Sequence, residues 1–404
     1  MNNIILFDDE SRDHLLPLTF TRPVSELRIG ILKTSEKWAK YLDGQVSFIT
    51  QDYLSEKFPL HIEDDNFVVN GAVLPTERLC RLIKQLETNE ALLLDGELIA
   101  ARLNKKQFDH LMKEEEIEEL SGFELEDTPF IKINNSWDIF SHNDEAIRQD
   151  FELLTKGRES APISQSNQII NPEQIFLEEG ASVECAILNA ATGPIYVGKE
   201  AQILEGAMVR GPLAMCEKAI LKMGAKVYGA TTVGPYSKIG GEVNNVVVTG
   251  YSSKGHEGFL GNSVLGEWCN IGADSNSSNL KNNYAPVRLW DYSVGRFAPT
   301  GLQFCGLIMG DHSKCGINTM FNTGTVVGVF ANIFGSGYPR NFIPSFSWGG
   351  TSGYSTYRTT KAFETAERVT KRRQKDFEEV DQKILEHVFN LTSTYRPWEK
   401  VHLQ

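Results

Sequence analysis

Val197-Gly-Lys-Glu-Ala-Gln, Ile203-Leu-Glu-Gly-Ala-Met and Val209-Arg-Gly-Pro-Leu-Ala follow one another without a gap in this 404-residue chain. Each group of six begins with an aliphatic residue, glycine or another turn-tolerant residue often follows, and a small residue tends to fill the fifth place. The same pattern recurs further along the chain, in units that begin at Leu221, Val227, Val233, Ile239, Leu265, Ile271, Cys315, Phe321 and Val327.

A repeat of six residues predicts a β-helix with the cross-section of a triangular prism. Each unit supplies one short strand and one tight corner, so three units close a coil of roughly eighteen residues. The aliphatic residue points inward and stacks on its counterpart one coil away, and each coil needs neighbours to bury that core. The alternative is a β-sandwich with glycine-rich turns, but sandwich strands do not keep a period of six. We therefore predict a left-handed parallel β-helix over residues 170–344.

Composition and charge narrow the class of protein. The net charge of -13 argues against nucleic acid and against an anionic membrane surface as partners. No apolar run is long enough for a spanning helix, and the N-terminus lacks the basic start and cleavage site of a signal peptide. The six cysteines show no paired metal-ligand spacing. We expect a cytoplasmic protein with reduced thiols.

Residues 1–158 alternate predicted strands and helices, which indicates an α/β domain with a Rossmann-like, largely parallel sheet. Ligands of such sheets bind at the carboxyl ends of the strands, so the loop after Phe7 is the expected binding region. The polar segment 159–169 is predicted to be a linker. Strands are predicted at 4–7, 46–50 and 66–69, helices at 35–42, 76–87 and 141–155 (the last capped by Asn143 or Asp144), and a hairpin over 91–101.

Two segments of this domain resemble the sugar-1-phosphate nucleotidyltransferases. Leu16-Pro-Leu-Thr-Phe-Thr-Arg-Pro is similar to the segment that follows the glycine-rich loop of that family, and Phe67-Val-Val-Asn-Gly-Ala-Val-Leu to its metal-binding strand. The resemblance implies a loop whose backbone N–H groups cradle a triphosphate. Here that loop, Asp8–His14, has no glycine and four acids. The family lysine is Val24 and the family aspartate is Ala72.

Two interpretations of the domain remain open. In one, it is a divergent enzyme that binds nucleotide or phosphate with Arg12, Arg22 or Lys33 and holds Mg²⁺ with Asp8 and Asp9. In the other, it keeps the fold and serves as a binding or structural module. The arginine and lysine are then a surface ion pair or a solvated tip, and the aspartates cap a following helix.

Residues 242–284 break the six-residue pattern and are rich in Asn, Ser, Lys and His. His256, Phe259, Leu260-Gly261 and Asn270-Ile271-Gly272-Ala273 closely resemble the acetyltransferase half of the bifunctional N-acetylglucosamine-1-phosphate uridyltransferase/glucosamine-1-phosphate acetyltransferase family. The match has no gaps from His256 to Asn279.

By that resemblance, His256 is the general base, Asn270 contacts the sugar, and Ala273 and Asn279 meet acetyl-CoA. Phe259 stands where the family has a tyrosine that contacts the sugar phosphate. Asn244 stands at a sugar-binding lysine, so the acceptor is expected to differ from glucosamine-1-phosphate. An imidazole with a pKa near neutrality suits the removal of a proton from an attacking amine. A backbone N–H at a prism corner would serve the developing oxyanion.

The remaining residues, 345–404, leave the six-residue pattern. Ser345–Gly350 is predicted to be a loop, and Thr359–Leu391 a long charged helix. Its apolar stripe is expected to pack on the protein's own prism or on a neighbouring subunit. His312 is interpreted as a polar surface residue.

Three hypotheses for the function follow. The preferred one is an acetyl-CoA-dependent N-acetyltransferase that acts on an amino-sugar phosphate or nucleotide sugar. The second is an active sugar-1-phosphate nucleotidyltransferase using UTP or dTTP, alone or as half of a bifunctional enzyme. The third is a non-catalytic sugar-nucleotide-binding scaffold. By resemblance to β-helix acyltransferases, a homotrimer with sites between adjacent prisms is expected.

Overall fold

The computed structural model describes residues 1–112 and 120–399. The chain forms two compact units, which we treat separately. The first comprises residues 1–15, 22–27 and 32–135, and the second comprises residues 16–21, 28–31 and 136 onward. The predicted domain boundaries at 158, 169 and 344 stay predictions.

The first unit is built on a six-stranded mixed sheet, with β1 flanked by two parallel neighbours. The order is β2-β1-β3-β5-β4-β6, in which β3 and β4 are both antiparallel to β5, and β6 is parallel to β4. The predicted strands, helices and hairpin of this region are present. The strands are β1 (Asn2–Phe7), β2 (Gly44–Ile49), β3 (Asp65–Asn70), β4 (Glu90–Leu94), β5 (Glu97–Asn104) and β6 (Ser121–Glu124), and the helices are α1 (Ser11–His14), α2 (Thr34–Leu42), α3 (Glu77–Gln85) and α4 (Lys105–Met112).

Both faces of this sheet are covered. Ile4 and Leu6 of β1 pack in one apolar cluster with Trp38 of α2, whereas Ile5 packs in a second cluster on the other face. Successive strand residues point to opposite faces, so a strand buried on both sides must be apolar throughout. The Trp38 indole N–H donates to the Val73 carbonyl at 2.9 Å, which satisfies the polar atom of this fully buried ring.

The second unit is a left-handed parallel β-helix of about 10 turns, as predicted. Gln202 pairs with Ile220 and Ile220 pairs with Lys238, so one coil takes eighteen residues. Before the coils come helices α5 (Asp138–Ser141) and α6 (Asn143–Thr155). The strands up to the first long one are β7 (Gln168–Ile170), β8 (Ile175–Leu177), β9 (Ser182–Val183), β10 (Ile187–Asn189), β11 (Ile195–Val197), β12 (Gln202–Ile203), β13 (Met208–Arg210), β14 (Leu213–Met215), β15 (Ile220–Leu221), β16 (Lys226–Tyr228), β17 (Thr231–Val233) and β18 (Lys238–Ile239).

The first residues of the six-residue units form inward columns. Val183, Ile203, Leu221 and Ile239 are paired in register on successive coils, and each is at most 2% exposed. Burying one such side chain contributes about 1.5–3 kcal/mol, so each coil is stabilised mainly by its two neighbours.

The stretch 242–284 does not interrupt the β-helix, although the sequence pattern breaks there. β19 (Glu242–Gly250) and β21 (Phe259–Glu267) are nine-residue parallel strands in register, Glu242 opposite Phe259. Because each of these two strands spans two faces of the prism, the six-residue period is not visible in this part of the sequence. The true insertion is the antiparallel hairpin β23–β24. The intervening and following strands are β20 (Ser253–Lys254), β22 (Asn276–Ser277), β23 (Arg288–Asp291), β24 (Arg296–Pro299), β25 (Leu307–Met309), β26 (Lys314–Cys315), β27 (Met320–Phe321), β28 (Thr325–Val327), β29 (Asn332–Ile333) and β30 (Phe342–Ile343).

The interpretation of His312 as a surface residue is wrong. Its side chain is buried, and its ring stacks on Phe330 at 4.5 Å and on Trp268 at 6.2 Å. All three residues have positive φ at equivalent corners of successive coils. They belong to a column of stacked rings that also contains Tyr236, Tyr251 and Phe346.

Three predictions about flanking segments need correction. Ser345–Gly350 is not a loop, because β31 (Ser347–Gly350) pairs with β29 and turns into β32 (Gly353–Thr356). The single long helix is two helices, α7 (Thr359–Lys371) and α8 (Glu379–Leu391). Neither Asn143 nor Asp144 caps α6. His142 precedes this helix without a side-chain cap, and the Asn143 side chain instead bonds the Gly30 N–H and the Ala230 carbonyl.

The C-terminal helices pack on the prism of their own chain, one of the two packing modes expected. Phe363 of α7 meets Phe330 at 6.4 Å, and Phe389 of α8 meets Phe346 at 5.0 Å. Of the predicted stripe, Ile384 and Val388 are buried. Among the described residues, no helix has the length and apolar character needed to cross a membrane.

Candidate functional site

The predicted base, His256, lies at a corner of the prism between β20 and β21, and it is exposed. Ser253 bridges to Asn270, and Asn270 bridges to Lys314. That register places His256, Ala273 and Ile317 at the same corner on three successive coils. Ile317 is 69% exposed. An imidazole, a small residue and an exposed apolar side chain therefore follow one another along one edge.

The backbone of His256 is held, but its ring is not. Its carbonyl accepts a hydrogen bond from the ammonium of Lys254. Within residues 1–112 and 120–399, no group makes a hydrogen bond to the imidazole. A ring in this state is accessible for proton transfer, because no internal partner occupies either nitrogen.

Two further predicted residues flank this corner. Asn270 is exposed on the strand side that precedes the corner, one coil after Ser253. Phe259 begins β21 just after the corner, and its N–H donates to the Asn276 side chain at 2.8 Å. His256, Asn270 and Phe259 thus occupy two neighbouring coils around one edge, as a shared site requires.

Phe259 and Asn279 approach each other over Gly261. A Cβ at Gly261 would lie 2.6 Å from the Phe259 ring and 2.7 Å from the Asn279 amide nitrogen, so only glycine leaves room for both. The Asn279 amide donates to Asn262 at 2.8 Å. Asn244 pairs with Gly261 one coil earlier. The structure therefore gathers Asn244, Phe259 and Asn279 on one face beside the His256 corner.

Sequence reasoning missed three contributors to this corner: Lys254, Asn276 and Ile317. Lys254 lies two residues before His256 and occupies an inward place in the coil, opposite Ile239. Its position in the repeat was the available signal. Asn276 and Ile317 become neighbours only through coil stacking, which no local pattern reveals.

The first unit has its own polar cleft of about 510 Å³, at the carboxyl ends of β1 and β3. The cleft includes the loop after Phe7, which the sequence analysis predicted to be the binding region. Asp9 and Lys132 meet in the cleft at 2.9 Å, and Lys132 also pairs with Glu97. The other lining residues are Phe7, Glu10, Ser11, His14, Asn70, Leu98, Asn134 and Asn135. Lys132 was not foreseen, since it lies far along the chain from Asp9.

Asp8 and Asp9 stand in opposite electrostatic environments. Burial raises the pKa of Asp8 to about 6, against the lowering effect of hydrogen bonds from Thr50 and the Val24 N–H. Burial also acts to raise the pKa of Asp9. Hydrogen bonds from Ser11, Asn70 and Lys132 outweigh it and hold that pKa below its usual value.

In this structure, Asp8 and Asp9 make interactions that a Mg²⁺ ion would have to replace or share. Each of their four carboxylate oxygens already accepts a hydrogen bond, and the Lys132 ammonium occupies the position of a cation beside Asp9. The described parts of the chain contain no cluster of three or more His, Cys, Asp or Glu side chains suited to a metal ion. Metal binding by this pair stays a prediction. Asp9 also accepts from the Ser11 N–H at the start of α1, although the N-cap residue of α1 is Glu10, which makes no side-chain cap.

The three basic residues predicted to bind phosphate do not gather in one place with free charges. Arg12 is buried and donates to Tyr53 at 2.8 Å and to Asp13 at 3.1 Å. Lys33 forms an ion pair with Glu26 at 2.7 Å. Arg22 is buried. Burial acts to raise the pKa of Glu26, but Lys33, a hydrogen bond from Ser35 and, most weakly, the charge of Arg22 hold that pKa below its usual value. Their role in phosphate binding stays a prediction.

The chain combines an α/β unit, which has a polar cleft at its strand ends, with a β-helix that has an exposed histidine corner. Its homologues are transferases, and that is the class the comparisons support. Residues 4–159 match the family model described as sugar nucleotidyl transferase. This match covers nearly all of the first unit and the two segments, 16–23 and 67–74, on which the resemblance to nucleotidyltransferases rested.

Curated relatives agree with that class. The chain is 25% identical over 221 residues to the "Bifunctional protein GlmU" of Methanocaldococcus jannaschii, covering 54% of this chain and 46% of the relative. It is 23% identical over 143 residues to the "Uncharacterized acetyltransferase YaiX" of Escherichia coli, covering 35% of this chain and 61% of that protein. The chain thus spans about half the length of the first relative and about three fifths of the second. The predicted resemblance to the GlmU-like family is confirmed.

Among solved structures, Arabidopsis UDP-N-acetylglucosamine acyltransferase is similar over 58% of this chain and 92% of its own, at 14% identity and a TM-score of 0.24. A likeness at that TM-score carries no argument about function.

Proposed function

We propose that the β-helix carries an acetyl-CoA-dependent N-acetyltransferase site for an amino-sugar phosphate or a nucleotide sugar, with His256 as its general base. The observation that carries the proposal is the exposed His256 ring at a prism corner. Ala273 follows it one coil on, and Asn270 and Phe259 lie on either side. The similarity to a bifunctional GlmU protein and to an acetyltransferase supports it.

The residues of the corner divide the chemistry between them. When bound, acetyl-CoA supplies the acetyl group as a thioester. The His256 imidazole takes the proton of the amine as the new N–C bond forms and the C–S bond breaks, and the thiolate of CoA leaves with the electron pair. Asn270 and Asn244 offer amide donors and acceptors to sugar hydroxyls. The exposed strip through Ala273 to Ile317 offers an apolar surface to the pantetheine arm.

Phe259 bears on the choice of acceptor. A phenylalanine ring offers an apolar face to a sugar but cannot donate to a phosphate oxygen. The proposed site therefore depends less on a sugar phosphate at this position than the tyrosine-containing family does. A nucleotide sugar or a differently phosphorylated amino sugar is the acceptor class to try first.

The test is release of free CoA thiol from acetyl-CoA in the presence of a panel of amino-sugar phosphates and amino-bearing nucleotide sugars. We expect thiol release with at least one acceptor, and a decrease of about 10²–10⁴-fold in His256→Ala, the typical contribution of general-base catalysis. His61→Ala serves as the matched control, because His61 is an exposed histidine of the other unit and its removal should leave the rate unchanged. No release with any acceptor, or full activity in His256→Ala, would refute the proposal.

A second candidate function is favoured by the family match of residues 4–159 and by the cleft at the ends of β1 and β3. We propose that the first unit binds a sugar nucleotide or sugar phosphate there. Pyrophosphate formation from a sugar-1-phosphate and UTP or dTTP with Mg²⁺ would show a working nucleotidyltransferase. A ligand-induced rise in melting temperature without turnover would show the scaffold instead.

Assembly and compartment are also proposals. By resemblance we propose a homotrimer in the cytoplasm, in which a neighbouring prism would complete the His256 site. Sedimentation of the purified protein distinguishes a species of about three times the 45.2 kDa chain mass from the monomer.

A further inference from the structure

Lys254 interrupts an inward column of apolar residues in the β-helix. In register on successive coils, this column runs from Leu221 through Ile239 to Lys254, and it continues through Ile271 to Cys315. Lys254 is 2% exposed and is one of the largest fully buried side chains of the described protein. An ammonium in a prism core is costly, since burying a charge costs several kcal/mol unless it is well compensated.

The compensation comes from two backbone carbonyls at the histidine corner. The Lys254 ammonium donates to the Gly240 carbonyl at 2.8 Å and to the His256 carbonyl. Gly240 lies on the preceding coil and His256 on the same coil, so one side chain connects two coils at the corner. A Cβ at Gly241 would lie 2.8 Å from the His256 carbonyl, which shows how closely the coils approach there.

We infer that Lys254 is a positioning residue for the proposed reaction: it fixes the backbone of the His256 corner from inside the prism. The inference rests on the proposed function for its catalytic meaning. No other side chain donates a hydrogen bond to the His256 carbonyl within the described residues. The imidazole makes no hydrogen bond in the part of the chain that the structure describes, so its position follows from the backbone that Lys254 fixes.

Lys254 keeps its charge in this buried place. Burial lowers the pKa of Lys254 to about 8, and the neighbouring charges Glu257, Asp274 and Lys226 and the Cys315 thiol act on it more weakly. Near neutral pH the side chain is thus still largely cationic. Its two hydrogen bonds to backbone carbonyls are therefore charge-assisted, and such bonds are stronger than neutral ones.

Two variants separate the hydrogen bonds from the charge. Lys254→Met has a similar length but no donor and no charge, and we expect kcat to fall about tenfold with little change in KM. Lys254→Gln keeps an N–H donor without the charge, so we expect part of kcat to return. Ile239→Val, in the same column, is the control for a change in core packing and should leave kcat and KM unchanged.

Hydrogen exchange tests the anchoring without reference to activity. The Glu242 amide bonds the Gly258 carbonyl, and the Asp274 amide bonds the Glu257 carbonyl, both in the corner segment. In Lys254→Met these two amides should exchange faster, whereas the Ser253 amide, which bonds the Cys269 carbonyl, should not. If Lys254→Met fails to fold, the same readouts apply to Lys254→Gln.

The outcomes are distinguishable. Wild-type protein without CoA release refutes the proposed function and leaves the anchoring to be judged by hydrogen exchange. Unchanged exchange at Glu242 and Asp274, or a kcat that falls equally in Ile239→Val, would overturn the role of Lys254.

Discussion

The polar cleft of the first unit and the His256 corner of the β-helix differ in whether their titratable side chains are paired with other side chains. In the cleft, Asp9, Lys132 and Glu97 satisfy one another. At the corner, the backbone of His256 is fixed from inside, while its ring makes no hydrogen bond within the described residues. In the cleft, the charged side chains pair with one another and stabilise the fold. At the corner, the His256 ring remains accessible to an incoming molecule.

This contrast distinguishes what a fold needs from what a reaction needs. A buried charge without a partner destabilises a protein, so Asp9 must be paired whether or not the cleft is active. An exposed imidazole carries no such requirement. This contrast supports the proposal that the chemistry takes place at the β-helix corner, since the charged groups Asp9, Lys132 and Glu97 of the cleft already pair with one another.

The first expected effect concerns the pH dependence of stability near the cleft. The pKa of Asp8 is raised by burial from 3.8 to about 6 in the folded protein. A raised carboxyl pKa means that the folded state binds this proton more tightly. The stability contribution is thus fully present below about pH 3.8 and is lost as the pH rises through 6. The full window corresponds to about 3 kcal/mol, of which about 1.4 kcal/mol falls between pH 5 and pH 8.

Urea unfolding of wild type and Asp8→Asn at pH 5 and pH 8 isolates the contribution of Asp8 to the free energy of unfolding. The variant should be more stable relative to wild type at pH 8 than at pH 5. An identical difference at both pH values would mean that the Asp8 carboxylate is not desolvated in the folded protein.

The next effect compares the two regions directly. Lys132→Met leaves Asp9, whose side chain is 17% exposed, without its cation, and should lower the free energy of unfolding by about 2 kcal/mol, less than for a fully buried pair. His256→Gln removes an exposed ring and should change it by less than about 0.5 kcal/mol. Equal decreases in the free energy of unfolding of the two variants, measured by urea titration, would contradict the difference between the paired cleft and the unpaired corner.

The smallest effect sharpens the account of the acceptor. Phe259→Tyr adds the hydroxyl that the resembled family uses on the sugar phosphate. One added hydrogen bond contributes about 0.5–1.5 kcal/mol, so KM for an amino-sugar phosphate should fall a few-fold. KM for acetyl-CoA should not change. A lower KM for acetyl-CoA alone would place Phe259 on the cofactor side of the site.

The β-helix was predictable because its period is local. Val183, Ile203 and Leu221 recur every eighteen or so residues, and an inward aliphatic residue is visible without any knowledge of long-range contacts. The pattern did not predict the β-helix coils at 242–284, because two nine-residue strands there each span two faces of the prism and the six-residue period is lost. It also failed at the C-terminus, where two helices read as one because both carry a charged face and an apolar stripe.

The site was predictable in part. His256, Asn270 and Phe259 came from a motif within one segment, and the structure arranges them around one corner. Lys132 and Ile317 were not predictable, because each meets its neighbours through pairings that are remote in sequence. Lys254 lies two residues before the motif, and its inward direction follows from its register opposite Ile239, for which its position in the repeat was the only signal in the sequence.

The central claim is that the exposed corner, and not the cleft, receives the acetyl donor. A crystal structure of the protein soaked with CoA and an amino-bearing nucleotide sugar tests it most directly. The account predicts the CoA sulfur beside the His256 ring, with the pantetheine arm along Ala273 toward Ile317. CoA bound only in the Asp9–Lys132 cleft, or a His256 corner that remains empty at saturating CoA, would contradict it.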